Sequence, residues 1–220
     1  MKVLVTAGPT YEPIDPVRFI GNRSSGKQGI AIATAFAKAE WDVYLIAGVI
    51  NDGLLQNLHK NINVYNVQTA REMLDECLKH IDVDVAVHNA AVSDYRPEKV
   101  FDNKIKKEEG FSFSDIKFVE NPDILSTFGH HLNRPKVVIG FAAETNNLVE
   151  NAKKKLSKKN ADFIMVNDVS NGKGFGKDVN KVYIVSKDSV EETKEMDKGL
   201  IGEKVVEVVN EYIIHDYKSR

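Results

Sequence analysis

Groups that could bind phosphate are concentrated in residues 21–27, GNRSSGK. This segment fits the pattern G-x-x-x-x-G-K, but Gln28 stands where a P-loop has the Ser or Thr that binds magnesium. A dinucleotide fingerprint is also missing, because no G-x-G-x-x-G follows the first apolar run. Ser24-Ser25-Gly26 is typical of a helix cap, and the same backbone amides could bind a phosphate group. From the residues alone, both interpretations stay open.

A second candidate loop, residues 90–97, follows another apolar run and leads to a basic cluster at residues 104–107. Its small residues would let a flat base approach the backbone, and Asp94 offers a carboxylate to ribose hydroxyls or base amines. The lysines of the cluster could neutralise phosphate groups. The same cluster is also typical of a solvated flap surface, so its neighbours must decide between the two.

The elements that must position these loops alternate between apolar runs and amphipathic stretches. The runs are short, continuous and rich in Val and Ile, which predicts strands covered on both faces. The stretches between them supply the helical crossovers that a parallel sheet requires. The predicted fold is α/β, a doubly wound, mostly parallel Rossmann-like sheet with a flap and a C-terminal arm. The predicted strands are 2–6, 42–47, 62–67, 84–89, 136–142, 162–167 and 181–186, the helices 26–39, 69–80, 122–131, 148–160 and 199–217, and the flap or extra strand 117–120.

Ligands of such a sheet bind beyond the carboxyl ends of its strands. The connection between the first strand and the first helix, residues 7–25, is far longer than the usual about 2 to 6 residues. This length favours a binding loop or an elaborate cap. Both candidate loops follow predicted strands, so we expect them at the same edge of the sheet.

Composition limits the classes of function. The 220 residues, 42% of them hydrophobic, can bury one substantial core, so one domain over residues 1–220 is expected. With 30 basic and 32 acidic residues the net charge is −2, which argues against nucleic acid or an anionic membrane as partner. Cys77, the single cysteine, lies on an apolar helix face and is predicted to be a core residue. Without a run of ~18 apolar residues no membrane span is predicted, and a cytoplasmic location is expected.

Several longer motifs follow one another along the chain: EPIDPVR (12–18), GNRSSGK (21–27), AAVSDY (90–95), KIKK (104–107), NPDI (121–124) and GFAAET (140–145). Together they resemble the successive signatures of phosphopantothenoylcysteine synthetase, also called phosphopantothenate-cysteine ligase. The resemblance covers about residues 1–186, and motifs in register are more specific than any single phosphate-loop pattern. Many bacterial relatives carry a flavin-dependent decarboxylase domain upstream. This chain starts at the first ligase strand and resembles the stand-alone form, without flavin.

The resemblance implies a two-step reaction that joins 4'-phosphopantothenate to L-cysteine. The carboxylate of phosphopantothenate first attacks the α-phosphate of a nucleoside triphosphate, which gives an acyl-nucleotide and pyrophosphate. The amine of cysteine then displaces the nucleoside monophosphate and forms an amide. Lys104 matches the family's catalytic lysine, which stabilises negative charge in the first step. Asn22 matches the asparagine of the second step, whose amide would donate to the acyl oxygen.

Nucleotide contacts are also implied by the resemblance. Lys155 and Lys159 match relatives that use CTP, so CTP is predicted, with ATP as the alternative; a lysine stripe of this kind is otherwise typical of a solvated surface. Gly21 and His88-Asn89 depart from the family pattern, and His88 is equally typical of a packed histidine. The implied nucleotide-binding residues are His88, Asn89, Ala90, Asp94, Lys104, Pro122, Asp123, Ile124, Leu125, Phe141, Lys155 and Lys159.

Magnesium and a homodimer complete what the resemblance implies. Mg²⁺ would help to neutralise the phosphate oxygens. Glu144 and Asn167-Asp168 are candidates to bind it or the dimer partner's substrate, and local hydrogen bonding is the alternative. Residues 168–180 would reach the neighbouring site as an intersubunit arm. Two other classes compete with the ligase: a nicotinamide-dependent oxidoreductase, whose glycine fingerprint is missing, and a regulatory module that binds nucleotide without turnover.

Overall fold

The structure is a computed structural model that describes residues 1–106, 112–170 and 179–218, with side chains to residue 214. Its strands are β1 Lys2–Ala7, β2 Tyr11–Pro13, β3 Phe19–Gly21, β4 Asp42–Ala47, β5 Ile62–Asn66, β6 Val85–His88, β7 Tyr95–Pro97, β8 Phe118–Glu120, β9 Val137–Glu144, β10 Phe163–Asp168, β11 Val179–Asn180, β12 Val182–Val185, β13 Val190–Glu192 and β14 Met196–Asp197. Its α-helices are α1 Lys27–Lys38, α2 Ala70–Lys79, α3 Ile124–His130, α4 Leu148–Lys159 and α5 Lys198–Lys218.

The main sheet has eight strands in the order β13-β12-β10-β9-β6-β1-β4-β5. The strands from β10 to β5 are parallel, whereas β12 and β13 are antiparallel at one edge. The predicted doubly wound, mostly parallel Rossmann-like fold is therefore confirmed. The strand predicted at residues 181–186 is β12, which lies beside β10 and runs antiparallel to it.

Successive residues of β1, an interior strand of the main sheet, point alternately into two apolar layers. Val3 and Val5 pack with α1 and α5 on one face of the sheet, and Leu4 packs with α2 and α3 on the other. All three side chains are completely buried, as expected for the centre of a doubly wound sheet. Packing on both faces fixes the carboxyl end of β1, where the long connection begins.

Small antiparallel pairs lie outside the main sheet: β2 with β3, β7 with β8, and β11 with β14. The connection predicted as a binding loop or cap contains the β2–β3 hairpin, where the rings of Tyr11 and Phe19 stack with centroids 4.0 Å apart. The flap predicted at residues 117–120 is β8, paired with β7. Residues 107–111 of the basic cluster and flap, and 171–178 of the arm, lie outside the described residues.

Cys77 lies on the apolar face of α2 and is completely buried. Burial raises the pKa of its thiol far above the ordinary value, so the thiol is not poised as a nucleophile. The prediction of a core cysteine is confirmed. Across the described ranges, no helix combines the length and the apolarity that crossing a membrane requires.

Candidate active site

A large cleft lies beyond the carboxyl ends of β1 and β6. The chain leaves β1 for β4 on one side and later returns to β6 on the other, so the two loops diverge at this point of the sheet. A parallel bridge between Pro9 and Ala91 joins the loops just beyond the strands. The cleft has a volume of about 1290 Å³, which exceeds the ~300 to 1,000 Å³ typical of small-molecule sites.

Asn22 and most of the predicted nucleotide-binding residues line this one cleft, although the sequence places them on five separate segments. Lys104 is not among the lining residues; its side chain is exposed on the segment that precedes residue 107. The predicted residues that do line the cleft are Asn22, His88, Asn89, Ala90, Asp94, Pro122, Asp123, Ile124, Leu125, Phe141, Lys155 and Lys159.

Two buried threonines fix the loop that follows β6. The Thr6 hydroxyl accepts a hydrogen bond from the amide of Ala90 at 3.1 Å, and the Thr10 hydroxyl accepts from the amide of Ser93 at 3.0 Å. Because these amides donate to side chains in β1 and just after it, the loop is held against the main sheet. The backbone of residues 90–93 therefore forms a fixed wall for a ligand.

Asn22 reaches this wall from the end of β3. Its Nδ2 donates to the carbonyl oxygens of Val92, at 3.0 Å, and Ala91, at 3.4 Å. Its Oδ1 has no hydrogen-bond partner among the described residues. The amide donor expected to bind the acyl oxygen is thus already engaged, and the acceptor oxygen is the group that Asn22 can offer to a ligand.

The amino end of α1 also faces the cleft. Gly26 is the N-cap, with a φ of 77°, and no side chain caps the helix. A side chain at Gly26 would be strained by this positive φ, and its Cβ, 2.5 Å from Cδ1 of Ile50, would force the Ile50 side chain to shift. The predicted serine cap is wrong in detail: the Ser24 hydroxyl accepts only from the amide of Gly26, at 3.4 Å. No side chain therefore caps this helix end, where the helix dipole favours a negatively charged group.

Lysines of α4 form the opposite side of the cleft. Lys159 is paired with Asp123, which also caps α3 by accepting from the amide of Ser126 at 2.8 Å. Burial acts to raise the pKa of Asp123, but the hydrogen bonds from Lys159 and Ser126 outweigh it and hold that pKa below its usual value. Lys158, interpreted from the sequence as part of a solvated stripe, also lines the cleft.

Lys198 lines the cleft, although no sequence motif indicates a role for it. It is the first residue of α5, and its carbonyl oxygen accepts from Nε2 of Gln28 at 3.2 Å. The two residues are 170 positions apart in the chain. No local motif marks Lys198, because only the packing of α5 beside α1 brings it to the cleft.

His88 closes the bottom of the cleft and is 92% buried, since only 8% of its surface is exposed. Burial lowers the pKa of its imidazole to about 4, so the ring is neutral at neutral pH. It packs edge-on against Phe128 with centroids 4.7 Å apart, and neither ring nitrogen has a partner among the described residues. His88 is therefore both a packed histidine and a lining residue.

Oxygen ligands for a metal are sparse in the described part of the chain. It contains no group of three or more His, Cys, Asp or Glu side chains that could hold a metal ion. Glu144 accepts from Nδ2 of Asn151 at 3.0 Å, and Asp168 accepts from the amide of Ser170 at 2.8 Å. Both carboxylates therefore make the local hydrogen bonds that were the alternative to metal binding.

Comparison with known proteins places the chain in a family. The model of the DNA/pantothenate metabolism flavoprotein C-terminal domain matches residues 1–213. The chain belongs to this family. The resemblance to phosphopantothenoylcysteine synthetase found in the sequence is thereby confirmed at the level of the family. The chain spans about half the length of the curated relatives it matches.

Individual proteins and solved structures give the extent of the similarity. The chain is 39% identical over 210 residues to the coenzyme A biosynthesis bifunctional protein CoaBC of Borreliella burgdorferi, which covers 94% of this chain and 52% of that protein. The crystal structure of the C-terminal domain of CoaBC matches with a TM-score of 0.80 and 35% identity, over 98% of this chain and 96% of that one. A Cab2 H337A mutant in complex with phosphopantothenate-cysteine shares the fold, with a TM-score of 0.70 and 18% identity over 98% and 88% of the two chains.

Proposed function

We propose that this chain is a phosphopantothenate-cysteine ligase of coenzyme A biosynthesis. It would activate the carboxylate of 4'-phosphopantothenate as an acyl-cytidylate, with release of pyrophosphate from CTP. It would then condense this intermediate with L-cysteine and release CMP. The observation that carries the proposal is that Asn22 and all the nucleotide-binding positions implied by the motifs except Lys104 converge on one cleft in a member of this family.

The first step requires that negative charge be neutralised around the α-phosphate. The cleft supplies lysines from α4 and the start of α5, together with the positive end of the α1 dipole. Lys104 is the residue proposed to stabilise the charge that develops on the phosphoryl oxygens. Such electrostatic stabilisation is worth about 10² to 10³ in rate per donor.

The second step requires a group that guides the amine of cysteine to the acyl carbon. Asn22 is proposed for this role. Because its Nδ2 already donates to the carbonyls of Ala91 and Val92, its Oδ1 would accept a hydrogen bond from the attacking amine. This assignment replaces donation to the acyl oxygen, which would require Asn22 to give up those two contacts.

CTP is proposed as the nucleotide because Lys155 and Lys159 occupy the positions of the CTP-using relatives. Mg²⁺ is proposed to accompany the triphosphate, chiefly on phosphate oxygens with one or two carboxylates. Asp94, which lines the cleft, is a suitable carboxylate. Addition of EDTA should stop pyrophosphate release, and excess Mg²⁺ should restore it. A nucleoside triphosphate co-substrate also favours the proposed cytoplasmic location.

A homodimer is proposed as the active form. Large apolar side chains are exposed on and near the two small sheets around β3 and β8, among them Phe19, Phe113 and Phe118. Exposed apolar groups of this number in one region are typical of protein interfaces. A second copy on this surface would lie close to the segment that carries Lys104, and residues 168–180 remain the proposed intersubunit arm.

One assay separates the ligase from the competing functions. The protein is supplied with phosphopantothenate, CTP and Mg²⁺ while pyrophosphate is followed, and cysteine is then added. A ligase releases pyrophosphate and forms a new amide, a regulatory module does neither, and an oxidoreductase ignores CTP. Replacing CTP with ATP in the same assay tests the base, and equal or faster turnover with ATP would contradict the choice of CTP.

A further inference from the structure

We propose that Asp15 and Arg18 are positioning residues that hold the segment carrying Lys104 on the β2–β3 hairpin. The hairpin would then set the placement of both residues that the ligase reaction needs, since Asn22 directly follows β3. The inference rests on the proposed function, because it concerns the role assigned there to Lys104.

Asp15 uses its two carboxylate oxygens for different purposes. Oδ1 accepts from the amides of Val17, at 2.8 Å, and Arg18, at 2.9 Å, and so caps the hairpin turn. Oδ2 accepts from Nε of Arg18 at 2.9 Å, from Nη2 of the same residue, and from the amide of Ile105 at 3.2 Å. The side chain of Asp15 is completely buried. The hydrogen bond from Arg18 holds the pKa of this carboxyl far below its usual range, so Asp15 is ionised at neutral pH.

Ile105, the residue after Lys104, is held through both its amide and its carbonyl group. The amide of Ile105 donates to Asp15, and its carbonyl oxygen accepts from Nη2 of Arg18 at 2.9 Å. Three residues before Lys104, the amide of Phe101 donates to the carbonyl of Ile14 at 2.9 Å. The backbone around Lys104 is therefore attached to the hairpin at two points, while the lysine side chain itself stays exposed.

The hairpin is anchored to the main body as well. Its buried Glu12 accepts from the amide of Ala70 at 2.9 Å, and the amide of Tyr11 donates to the carbonyl of Gln68 at 2.8 Å. Its far end leads to Asn22, which contacts the wall of the cleft. The turn cap uses only Oδ1 of Asp15, so Oδ2 and the guanidinium of Arg18 are the groups that hold the backbone at Ile105.

Asp15→Asn separates these two functions of the carboxylate. Asparagine can still cap the turn through Oδ1, but it presents an NH₂ group to the donors of Arg18 and Ile105. We expect acyl-nucleotide formation to fall about 10- to 100-fold, the cost of a misplaced catalytic group. Asp84→Asn is the matched control. Asp84 also accepts from a backbone amide, that of Lys2 at 3.0 Å, and from Nζ of Lys136 at 2.8 Å. It directly precedes β6 and so lies at the amino ends of the strands, away from the cleft. Asp84→Asn should leave the rate of this step within about twofold.

A double-mutant cycle with Lys104→Gln distinguishes positioning from a general structural effect. If Asp15 acts through Lys104, adding Asp15→Asn to Lys104→Gln should change the rate by less than about twofold. An equal loss in both backgrounds overturns the inference while leaving the role of Lys104 intact. Normal turnover by Lys104→Gln alone overturns that role, and the inference falls with it.

Hydrogen exchange decides the question if Asp15→Asn does not fold. In the unaltered protein, the amide of Ile105 should exchange as slowly as that of Arg18, because both donate to Asp15. Exchange of the Ile105 amide at the rate of an unstructured peptide would overturn the proposal.

Discussion

Asn22 and His88 line the same cleft but are held in different ways. The amide nitrogen of Asn22 is fixed by two backbone carbonyls. The ring of His88 is fixed by packing against Phe128, without a hydrogen-bond partner among the described residues. Replacing Asn22 is therefore expected to affect chemistry in the cleft, whereas replacing His88 is expected to affect the stability of the fold as well.

Asn22→Asp should allow the acyl-nucleotide to form and accumulate. The new carboxylate cannot donate to the carbonyl oxygens of Ala91 and Val92 and is repelled by them, so its oxygens leave the position from which Asn22 would guide the attacking amine. Mass spectrometry of the quenched reaction detects the intermediate, and Asn63→Asp on the exposed side of β5 serves as control. If product formation fails and no intermediate is trapped, Asn22 acts in an earlier step.

His88→Leu should remove a pH dependence of stability. The pKa of His88 is about 4 in the folded protein and 6.5 ordinarily, so between these values the unfolded chain binds a proton that the folded chain does not. The free energy of unfolding contributed by this site is present above pH 6.5 and falls by up to about 3 kcal/mol as the pH drops to 4. Urea unfolding of both proteins at pH 7, 5.5 and 4.5 measures the difference, and parallel declines would contradict the assignment.

At the scale of elements, the crossing of α3 and α4 determines where the lysines of the cleft lie. Gly129 of α3 packs so closely on the end of α4 that an added Cβ would lie 1.9 Å from the carbonyl oxygen of Lys159. Nδ2 of Asn160 also donates to the carbonyl of Gly129, at 2.5 Å. The helix pair thus brings Lys159 to Asp123, which caps α3.

Gly129→Ala should separate the two helices and displace Lys155 and Lys159. We expect a loss of about 1 to 3 kcal/mol in unfolding free energy, as for other overpacked sites, together with weaker nucleotide binding. Calorimetric titration with CTP and urea unfolding measure both effects. Gly53→Ala is the control, because its added Cβ would meet only an Asn51 side-chain oxygen, at 3.1 Å. Unchanged CTP affinity in Gly129→Ala would show that the crossing does not position the lysines.

The main elements could be predicted because their signal is local. Buried parallel strands form continuous Val and Ile runs, and predicted ends such as those of residues 42–47 and 148–160 fall within a residue of the observed ones. The β2–β3 hairpin was missed because its strands have three residues each, too few for a periodic pattern. Likewise, contacts between Asp15 and Ile105, 90 positions apart, leave no trace in either local sequence.

At the scale of the whole molecule, charge is distributed unevenly. The chain has a net charge of −2, yet Lys155, Lys158, Lys159 and Lys198 all line one cleft. Local positive charge can attract a polyphosphate even when the overall field is weak. The net charge in the sequence predicts no general affinity for nucleic acid, but it could not reveal this concentration of lysines in one cleft.

The exposed apolar surface near the small sheets should form the dimer interface. Phe118→Glu should shift the protein from dimer to monomer in sedimentation experiments, because a charge would be buried on association. Leu132→Glu is the matched control, since Leu132 is fully exposed on the loop before β9. A wild-type monomer at micromolar concentration, or an unaffected Phe118→Glu dimer, would contradict this assignment.

Pyrophosphate release in the absence of cysteine tests the central claim most directly. The protein is mixed with phosphopantothenate, CTP and Mg²⁺, and the first turnover is compared between the unaltered protein and Lys104→Gln. The account predicts a burst of pyrophosphate that depends on phosphopantothenate and is slowed about 10² to 10³-fold by the substitution. Absence of the burst, or equal bursts from the two proteins, would contradict it.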